Sequence, residues 1–180
     1  MRVNHLLPAM KKHIVLFVCL LILPCLTACT DSNDVDQTTG VRLYDLDGKP
    51  VRLSCAPGRM LIVNFWASWC QPCKKEIAHL LELQDELREL GFDIVGILLD
   101  SYRREHLKAE VAGLNITYPV YIGDVVTVVA KTDVPTVPAT MIVDSRGEII
   151  KKLVGYHSKE ELRTAIWTMA HDSKASSAAP

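Results

Sequence analysis

The feature that most constrains this 180-residue chain is a Cys-x-x-Cys pair, Cys70 and Cys73, between a strand pattern and a helix pattern. The preceding run, Met60 to Phe65, is almost entirely apolar, which is typical of a strand covered on both faces. From about Pro72 to Leu90, apolar residues recur every three or four positions and predict an amphipathic helix that ends at Gly91. The chain must therefore fold so that a buried strand leads into a helix that begins with two cysteines.

The position of the pair indicates redox chemistry. Unpaired N–H groups and the positive end of the helix dipole favour a thiolate at a helix N-terminus. Cys70 comes first, so we expect it to be the exposed nucleophile, and Cys73, one turn into the helix, to be the covered resolving thiol. Attack by Cys70 on a disulfide gives a mixed disulfide, from which Cys73 then displaces the product.

A zinc site and a structural disulfide are the alternatives for this pair. Zinc needs four ligands, and after residue 29 only Cys55 and scattered histidines remain to complete such a set. Structural disulfides usually close longer loops, where the entropic gain is larger. We favour a redox-active Cys70–Cys73 disulfide with no metal and no other cofactor, and we interpret Cys55 as a small buried apolar residue.

Residues 1–28 predict a secretory signal peptide. Basic residues are followed by ten apolar ones, Ile14 to Leu23, and then by small residues before Cys29. Ten residues of helix rise about 15 Å, half of a hydrocarbon core, so a membrane-spanning helix is not expected. The sequence Leu-Thr-Ala-Cys ending at Cys29 resembles the bacterial lipobox, after which the cysteine is lipidated; plain secretion is the alternative.

The mature chain is predicted to contain one folded domain. We expect residues 29–40 to be the lipidated Cys29 and a flexible tether, 41–171 the domain, and 172–180 a disordered tail. Without residues 1–28 the chain has 17 Lys and Arg against 21 Asp and Glu, a net charge of −4, which gives no support for nucleic-acid binding. An exported domain works in an oxidising compartment, where thiols need a reason to stay reduced.

The remaining pattern predicts an α/β fold. Two alternating segments, Val41 to Tyr44 and Val51 to Leu53, flank Asp47-Gly48 and indicate an N-terminal β-hairpin. Further predicted elements are a strand over Phe92–Leu99, a helix over Arg103–Leu114, a strand or short helix over Val120–Lys131, strands over Ala139–Val143 and Glu148–Val154, and a helix from Ser158 to about Ala170 with a Ser158/Glu161 capping box. The order predicts a mixed central sheet flanked by helices on both faces, with a parallel pair around the first long helix.

The segment Leu61 to Cys73, LIVNFWASWCQPC, resembles the thioredoxin superfamily. Within it the chain most resembles the TlpA/ResA-like thiol–disulfide oxidoreductases of the bacterial cell envelope, from about Val41 to Ala170. Asp45 to Val51 is similar to that family's N-terminal hairpin, and Val137 to Asp144 to its cis-proline strand. The resemblance implies a thioredoxin-like fold.

The resemblance also implies roles for residues around the cysteines. Pro138 is expected to be the cis-proline that lies against them, and the backbone of Val137 to pair with an extended substrate. Pro135 is interpreted as an ordinary turn residue. Trp69 is expected to shield the active site, whereas core packing explains Trp66 equally well.

Glu76 is three residues after Cys73, so it lies on the same side of the helix. It resembles the buried acid of the family's cytochrome-maturation branch, where burial would raise its pKa and allow proton exchange with Cys73 near neutral pH. A first-turn glutamate stabilised by the helix dipole is the alternative. Thioredoxin itself has a buried aspartate where this chain has Asn64, which favours the proton role of Glu76.

As a function, the resemblance implies an envelope protein-disulfide reductase. Its substrates would be oxidised extracytoplasmic proteins, for example during cytochrome c maturation, and a membrane electron donor of the DsbD/CcdA type would re-reduce it. We expect a monomer, anchored by lipid at Cys29 and facing the periplasm or extracytoplasmic space.

Two other functions on the same fold are a thiol peroxidase and a copper-delivery protein. Peroxiredoxins contain a Pro-x-x-x-Thr/Ser-x-x-Cys pattern. In this chain, counting back from Cys70 gives Ala67 at the hydroxyl position and Val63 at the proline position. Copper-delivery proteins of the Sco type contain a C-x-x-x-C pattern with a distant histidine. The spacing between their cysteines is one residue longer than the spacing here.

Overall fold

The computed structural model describes residues 41–100 and 104–177, and the predicted signal peptide, Cys29 and the tether lie outside them. The strands are β1 (Leu43–Tyr44), β2 (Pro50–Val51), β3 (Met60–Trp66), β4 (Phe92–Leu98), β5 (Val120–Gly123), β6 (Ala139–Val143) and β7 (Ile149–Val154). The helices in these ranges are α1 (Gln71–Glu89), α2 (Arg104–Gly113), α3 (Val125–Thr132) and α4 (Lys159–Ser177). This is the predicted α/β arrangement.

The strands form a single mixed sheet in the order β2-β1-β5-β4-β3-β6-β7. Strand β3 is interior, parallel to β4 and antiparallel to β6, and β4 is parallel to β5. The predicted parallel pair around the first long helix is therefore confirmed. Strand β3, which leads directly to the cysteines, is therefore paired with a neighbouring strand on each of its edges.

Buried side chains cover both faces of the sheet. Successive residues of β3 alternate between them, so that Ile62 and Trp66 join the cluster that includes α1 and α4, while Val63 and Phe65 join the cluster that includes Val128 of α3. Helices on both faces are confirmed. Both faces of β3 are buried, which explains its nearly continuous apolar sequence.

The N-terminal hairpin is present, although β1 and β2 are shorter than the alternating pattern predicted. In its turn, the carboxylate of Asp45 accepts hydrogen bonds from the N–H groups of Asp47 at 2.9 Å and Lys49 at 2.8 Å. Gly48 has φ 85°, a left-handed conformation that glycine adopts without strain. Strand β1 also pairs with β5, so the hairpin extends the edge of the main sheet.

The segment Val120–Lys131, which fits a strand or a helix from its sequence, contains β5 and then most of α3. Asp124 decides the change of element, because its carboxylate caps the helix by accepting the N–H of Thr127 at 2.8 Å. Asp133, in the left-handed conformation with φ 53°, follows the last turn. Valine alone favours a strand here, so the cap overrides the residue preference.

Helix α4 begins with the predicted capping box. The N–H of Ser158 donates to the Glu161 carboxylate at 2.8 Å, and the N–H of Glu161 donates to the Ser158 hydroxyl at 3.4 Å. The helix continues past Ala170 to Ser177, into the predicted tail, because no glycine or proline interrupts the sequence there. Among the described residues no helix is long and apolar enough to cross a membrane.

Candidate active site

Cys70 and Cys73 form a disulfide at the start of α1, with their Cα atoms 5.3 Å apart. Cys70 is the N-cap residue in an extended conformation, and its Sγ accepts the N–H of Cys73 at 3.2 Å. Pro72 is the second helical residue rather than the predicted first, and its missing N–H still removes no intrahelical hydrogen bond. The pair therefore lies at the helix N-terminus, where the N–H of Cys73 points at the Sγ of Cys70.

The exposure of the two sulfur-bearing residues follows the predicted order but not the predicted extent. Cys70 is 4% exposed and Cys73 is 0% exposed, so the expectation of an exposed Cys70 is wrong for the disulfide form. The reason is that its Sγ is turned toward the helix and bonded to Cys73. Trp69, directly before the pair, is 63% exposed and presents an apolar ring beside it.

The loop before β6 contains the predicted cis-proline. The Val137–Pro138 peptide bond is cis, whereas the bond before Pro135 is trans. The carbonyl of Pro138 accepts the N–H of Gly155 at 2.9 Å, which joins the loop to the end of β7. Since Ala139 pairs with Phe65 near the end of β3, the loop lies at the same end of the sheet as the cysteines.

An apolar cavity of about 610 Å³ lies between Trp69, the segment before Pro138, and α3. Its α3 wall is formed by Val125 and Val129, which are 46% and 45% exposed. Asp100 is its charged member, and the Asp100 carboxylate accepts the N–H of Ser68 at 2.6 Å. This wall was not predicted from the sequence, although two valines four residues apart indicate one apolar helix face.

Glu76 is fully buried beneath the pair, on the face of α1 that packs against the sheet. Its Oε1 accepts the Thr140 hydroxyl at 2.8 Å and the Asn64 side-chain amide at 3.1 Å. Its Oε2 accepts the backbone N–H of His157 at 2.9 Å. The carboxylate is therefore tied to β3, to β6 and to the segment before α4.

Burial raises the pKa of Glu76 above its ordinary value. The backbone N–H of His157, the hydroxyl of Thr140 and the charges of His157 and His79 act in the opposite direction without cancelling it. Burial, with a smaller contribution from the charge of Glu76, also raises the pKa of the nearby Tyr118 phenol, which stays protonated. Glu76 is thus suited to hold a proton at a pH where an exposed glutamate is ionised.

His157 contacts Glu76 although the sequence assigned it no function. The contact is made by its backbone N–H, so the identity of the side chain carries no signal for it. Cys55 is half-buried rather than buried, and its thiol donates to the carbonyl of Asp144 at 3.2 Å. In the described part of the chain, no three His, Cys, Asp or Glu side chains form a group that could hold a metal ion.

The fold and the cysteine pair together define the class of thioredoxin-like thiol–disulfide oxidoreductases. The model of the AhpC/TSA family matches residues 35–152. The thiol-disulfide oxidoreductase ResA of Bacillus cereus is 30% identical over 118 residues, which are 66% of this chain and 68% of that protein. The chain belongs to the AhpC/TSA family and, within it, to the ResA/TlpA-like thiol–disulfide oxidoreductases of the thioredoxin superfamily.

Solved structures agree with this assignment. The thioredoxin domain of a thiol-disulfide oxidoreductase from Bacteroides vulgatus is 25% identical, with a TM-score of 0.61 over 72% of this chain and 91% of that domain. A thiol:disulfide interchange protein from Chlorobium tepidum is 28% identical, with a TM-score of 0.58 over 71% of this chain and 90% of its own. The protein is accordingly a thiol–disulfide oxidoreductase.

Proposed function

We propose that this protein reduces disulfide bonds in extracytoplasmic proteins, for example in apocytochrome c during cytochrome c maturation. The observation that carries the proposal is the Cys70–Cys73 disulfide at the N-terminus of α1, next to an open apolar cavity. The resemblance to ResA favours the reducing direction. Two electrons would pass from the dithiol to each substrate disulfide.

The reaction begins with the reduced pair. Helix N–H groups, including that of Cys73, stabilise the Cys70 thiolate, which attacks one sulfur of the substrate disulfide. The other substrate sulfur leaves as a thiolate and takes a proton, and a mixed disulfide remains on Cys70. Cys73, once deprotonated, attacks the Sγ of Cys70, closes the internal disulfide and releases the second substrate thiolate.

Glu76 is proposed to be the base that deprotonates Cys73. It lies one helical turn further along α1, and burial raises its pKa toward the range of a thiol proton acceptor. The neighbouring Asn64 amide cannot carry this proton, and the Thr140 hydroxyl already donates to the carboxylate. The proton role therefore belongs to Glu76 within this cluster.

The substrate is proposed to lie along the segment before Pro138. The backbone of Val137 would pair with an extended polypeptide, as the family resemblance implies, while Trp69 and the cavity receive an apolar side chain next to the substrate cysteine. The cavity volume of about 610 Å³ leaves room for such a side chain. Exposed apolar groups on both sides of a redox centre support contact with unfolded or extended protein rather than with small thiols alone.

The proposed setting is the cell envelope. Residues 1–28 would direct export, and lipid on Cys29 would hold a monomeric domain at a membrane, where a donor of the DsbD/CcdA type re-reduces it. The sequence around Cys29 and the lack of acidic residues before it support this proposal.

Trapping of substrates in the native envelope tests the proposal. In a Cys73→Ser variant, mixed disulfides should accumulate on Cys70, because the resolving thiol is gone; mass spectrometry then identifies the bound proteins. A Cys70→Ser variant is the matched control and should trap none. Equal adducts on the control would reverse the assignment of nucleophile and resolving thiol.

The same protein distinguishes the other functions on this fold. Consumption of hydrogen peroxide at rates above those for protein disulfides would indicate a thiol peroxidase. Tight binding of Cu(I) by the reduced pair, without exchange of protein disulfides, would indicate copper delivery.

A further inference from the structure

A proton that Glu76 takes from Cys73 needs a route to water, because Glu76 is fully buried. The described partners of its carboxylate are an amide, a hydroxyl and a backbone N–H, all of which donate to it. An amide or backbone N–H does not release its proton in the physiological pH range. Another titratable group is needed between Glu76 and solvent.

His79 occupies the next position on the same side of α1, three residues after Glu76. Its Nε2 is 3.0 Å from the hydroxyl oxygen of Tyr156, and Tyr156 is 45% exposed. Its Nδ1 is buried and has no hydrogen-bond partner within 41–100 and 104–177. A buried polar atom without a partner is uncommon enough to require an explanation.

The imidazole geometry matches that of a proton relay. A neutral ring that donates its Nε2–H to Tyr156 leaves Nδ1 as an acceptor on the buried side. The charge of His79 lowers the pKa of Glu76, so the two groups are near enough to interact. The ring thus has one nitrogen toward the interior and one toward the surface.

We infer that His79 is the group through which Glu76 exchanges protons with solvent, and that Tyr156 holds its ring in place. This inference rests on the proposed proton role of Glu76. Because Nδ1 is not within hydrogen-bond distance of the carboxylate, the proton of the Glu76 carboxyl passes to Nδ1 through a water molecule between them, and Nε2 releases its own proton to water beside Tyr156. Glu76 ends ionised and His79 ends neutral, and the reverse transfer when Glu76 is reloaded restores the first tautomer.

The charged surroundings of His79 support a transient positive charge on its ring. On the solvent side, Glu82 pairs with Lys159 at 2.7 Å. The pKa of Glu82 is lowered mainly by that pair, with a contribution from His79. On the buried side, the titratable neighbours of Glu76 are Tyr118 and His157. An imidazolium would therefore lie between an ionised carboxylate and the carboxylate it has just deprotonated.

The test is the steady-state rate at which the full-length protein reduces a small disulfide in the presence of excess dithiol, measured over roughly pH 5 to 8, because each new turnover needs Glu76 to have passed on its proton. In His79→Ala the rate should fall by roughly tenfold to a hundredfold. The upper figure is about the lower limit of what a positioned acid or base contributes to a rate. Imidazole added to the buffer should restore it. His79→Gln keeps a donor for Tyr156 but cannot relay a proton, so it should be as slow as His79→Ala. His171→Ala, which removes an exposed histidine of α4, is the matched control and should react at the wild-type rate.

Wild-type rates and pH profile in His79→Gln would overturn the relay, as would a slow His79→Ala that imidazole does not rescue. A Glu76→Gln background separates this inference from the proposed function. There, His79→Ala should cause no further loss, because the proton source is gone. If Glu76→Gln itself reacts at the wild-type rate, the proton role of Glu76 fails; if only the His79 variants do, the relay alone fails.

Discussion

The side-chain amide of Asn64 donates a hydrogen bond to the carboxylate of Glu76 at 3.1 Å. The same amide nitrogen is 3.1 Å from the Thr140 hydroxyl oxygen, so one side chain of β3 orients both partners. An amide does not titrate in the working pH range, and Glu76 is therefore the member of this cluster whose charge can change. The strand that leads to the cysteines is thus tied directly to the helix that follows them.

Replacement of Glu76 by glutamine should slow thiol–disulfide exchange near pH 7. Glutamine has nearly the same shape but accepts no proton, and a positioned general base contributes roughly a hundredfold or more to a rate. Stopped-flow measurement of the resolving step gives the rate. The matched control is Glu89→Gln at the exposed end of α1, which should leave it unchanged. Equal rates for the wild type, Glu76→Gln and Glu89→Gln at every pH would show that Glu76 has only a structural role.

The stability of the oxidised protein should depend on pH through Glu76. Its pKa is raised in the folded state relative to the ordinary value of 4.5, so the folded state binds the proton more tightly than the unfolded state does. That contribution is fully present below the unfolded pKa and is lost as pH rises through the folded pKa. A tenfold difference in proton affinity between the two states is worth about 1.4 kcal/mol of folding free energy. Urea unfolding midpoints as a function of pH measure it, and in Glu76→Gln the decrease over this window should vanish.

A charge in the apolar cavity should impair protein substrates selectively. Val129→Glu should lower kcat/KM for an oxidised protein by roughly tenfold, because it removes a contact of about 1 to 2 kcal/mol from the binding of an apolar side chain. Exchange with glutathione disulfide should be unchanged. Ile150→Glu places the same charge on a comparably exposed apolar residue at the far end of β7 and serves as the control. Equal loss for both kinds of substrate would assign the effect to the redox pair instead of the cavity.

Removal of the proposed lipid site should release the domain from membranes. Cys29→Ala leaves the folded domain unchanged but has no sulfur for lipidation, so the protein should move from the membrane pellet to the soluble envelope fraction. Cys25→Ala, at a cysteine preceded by proline, is the matched control and should stay in the pellet. A Cys29→Ala protein that still sediments with membranes would contradict the lipobox.

Elements with strong local signals were predictable from sequence. The apolar run of β3, the periodic leucines of α1 and the Ser158/Glu161 cap each fix their own element, and the structure confirms them. The Val125–Thr132 helix was ambiguous, because valine favours strands and only the Asp124 cap, a single residue, specifies the helix.

The surroundings of Glu76 were less predictable than its burial. Spacing from Cys73 places it on the right side of α1, but Thr140 and His157 reach it from 64 and 81 residues further along the chain. One of these contacts uses a backbone N–H, which any residue except proline supplies. Likewise, the low exposure of Cys70 depends on the direction of its sulfur in the disulfide form, which residue types do not specify.

The backbone N–H of His157 points at Oε2 of Glu76 across 2.9 Å. The chemical shift of this amide proton therefore reports the ionisation of the Glu76 carboxylate, since it changes when the oxygen that the proton faces gains or loses charge. A pH titration of this amide proton, in the oxidised and then in the reduced protein, measures how far reduction of the cysteines changes the pKa of Glu76. No label needs to be introduced near the sulfur atoms to obtain it.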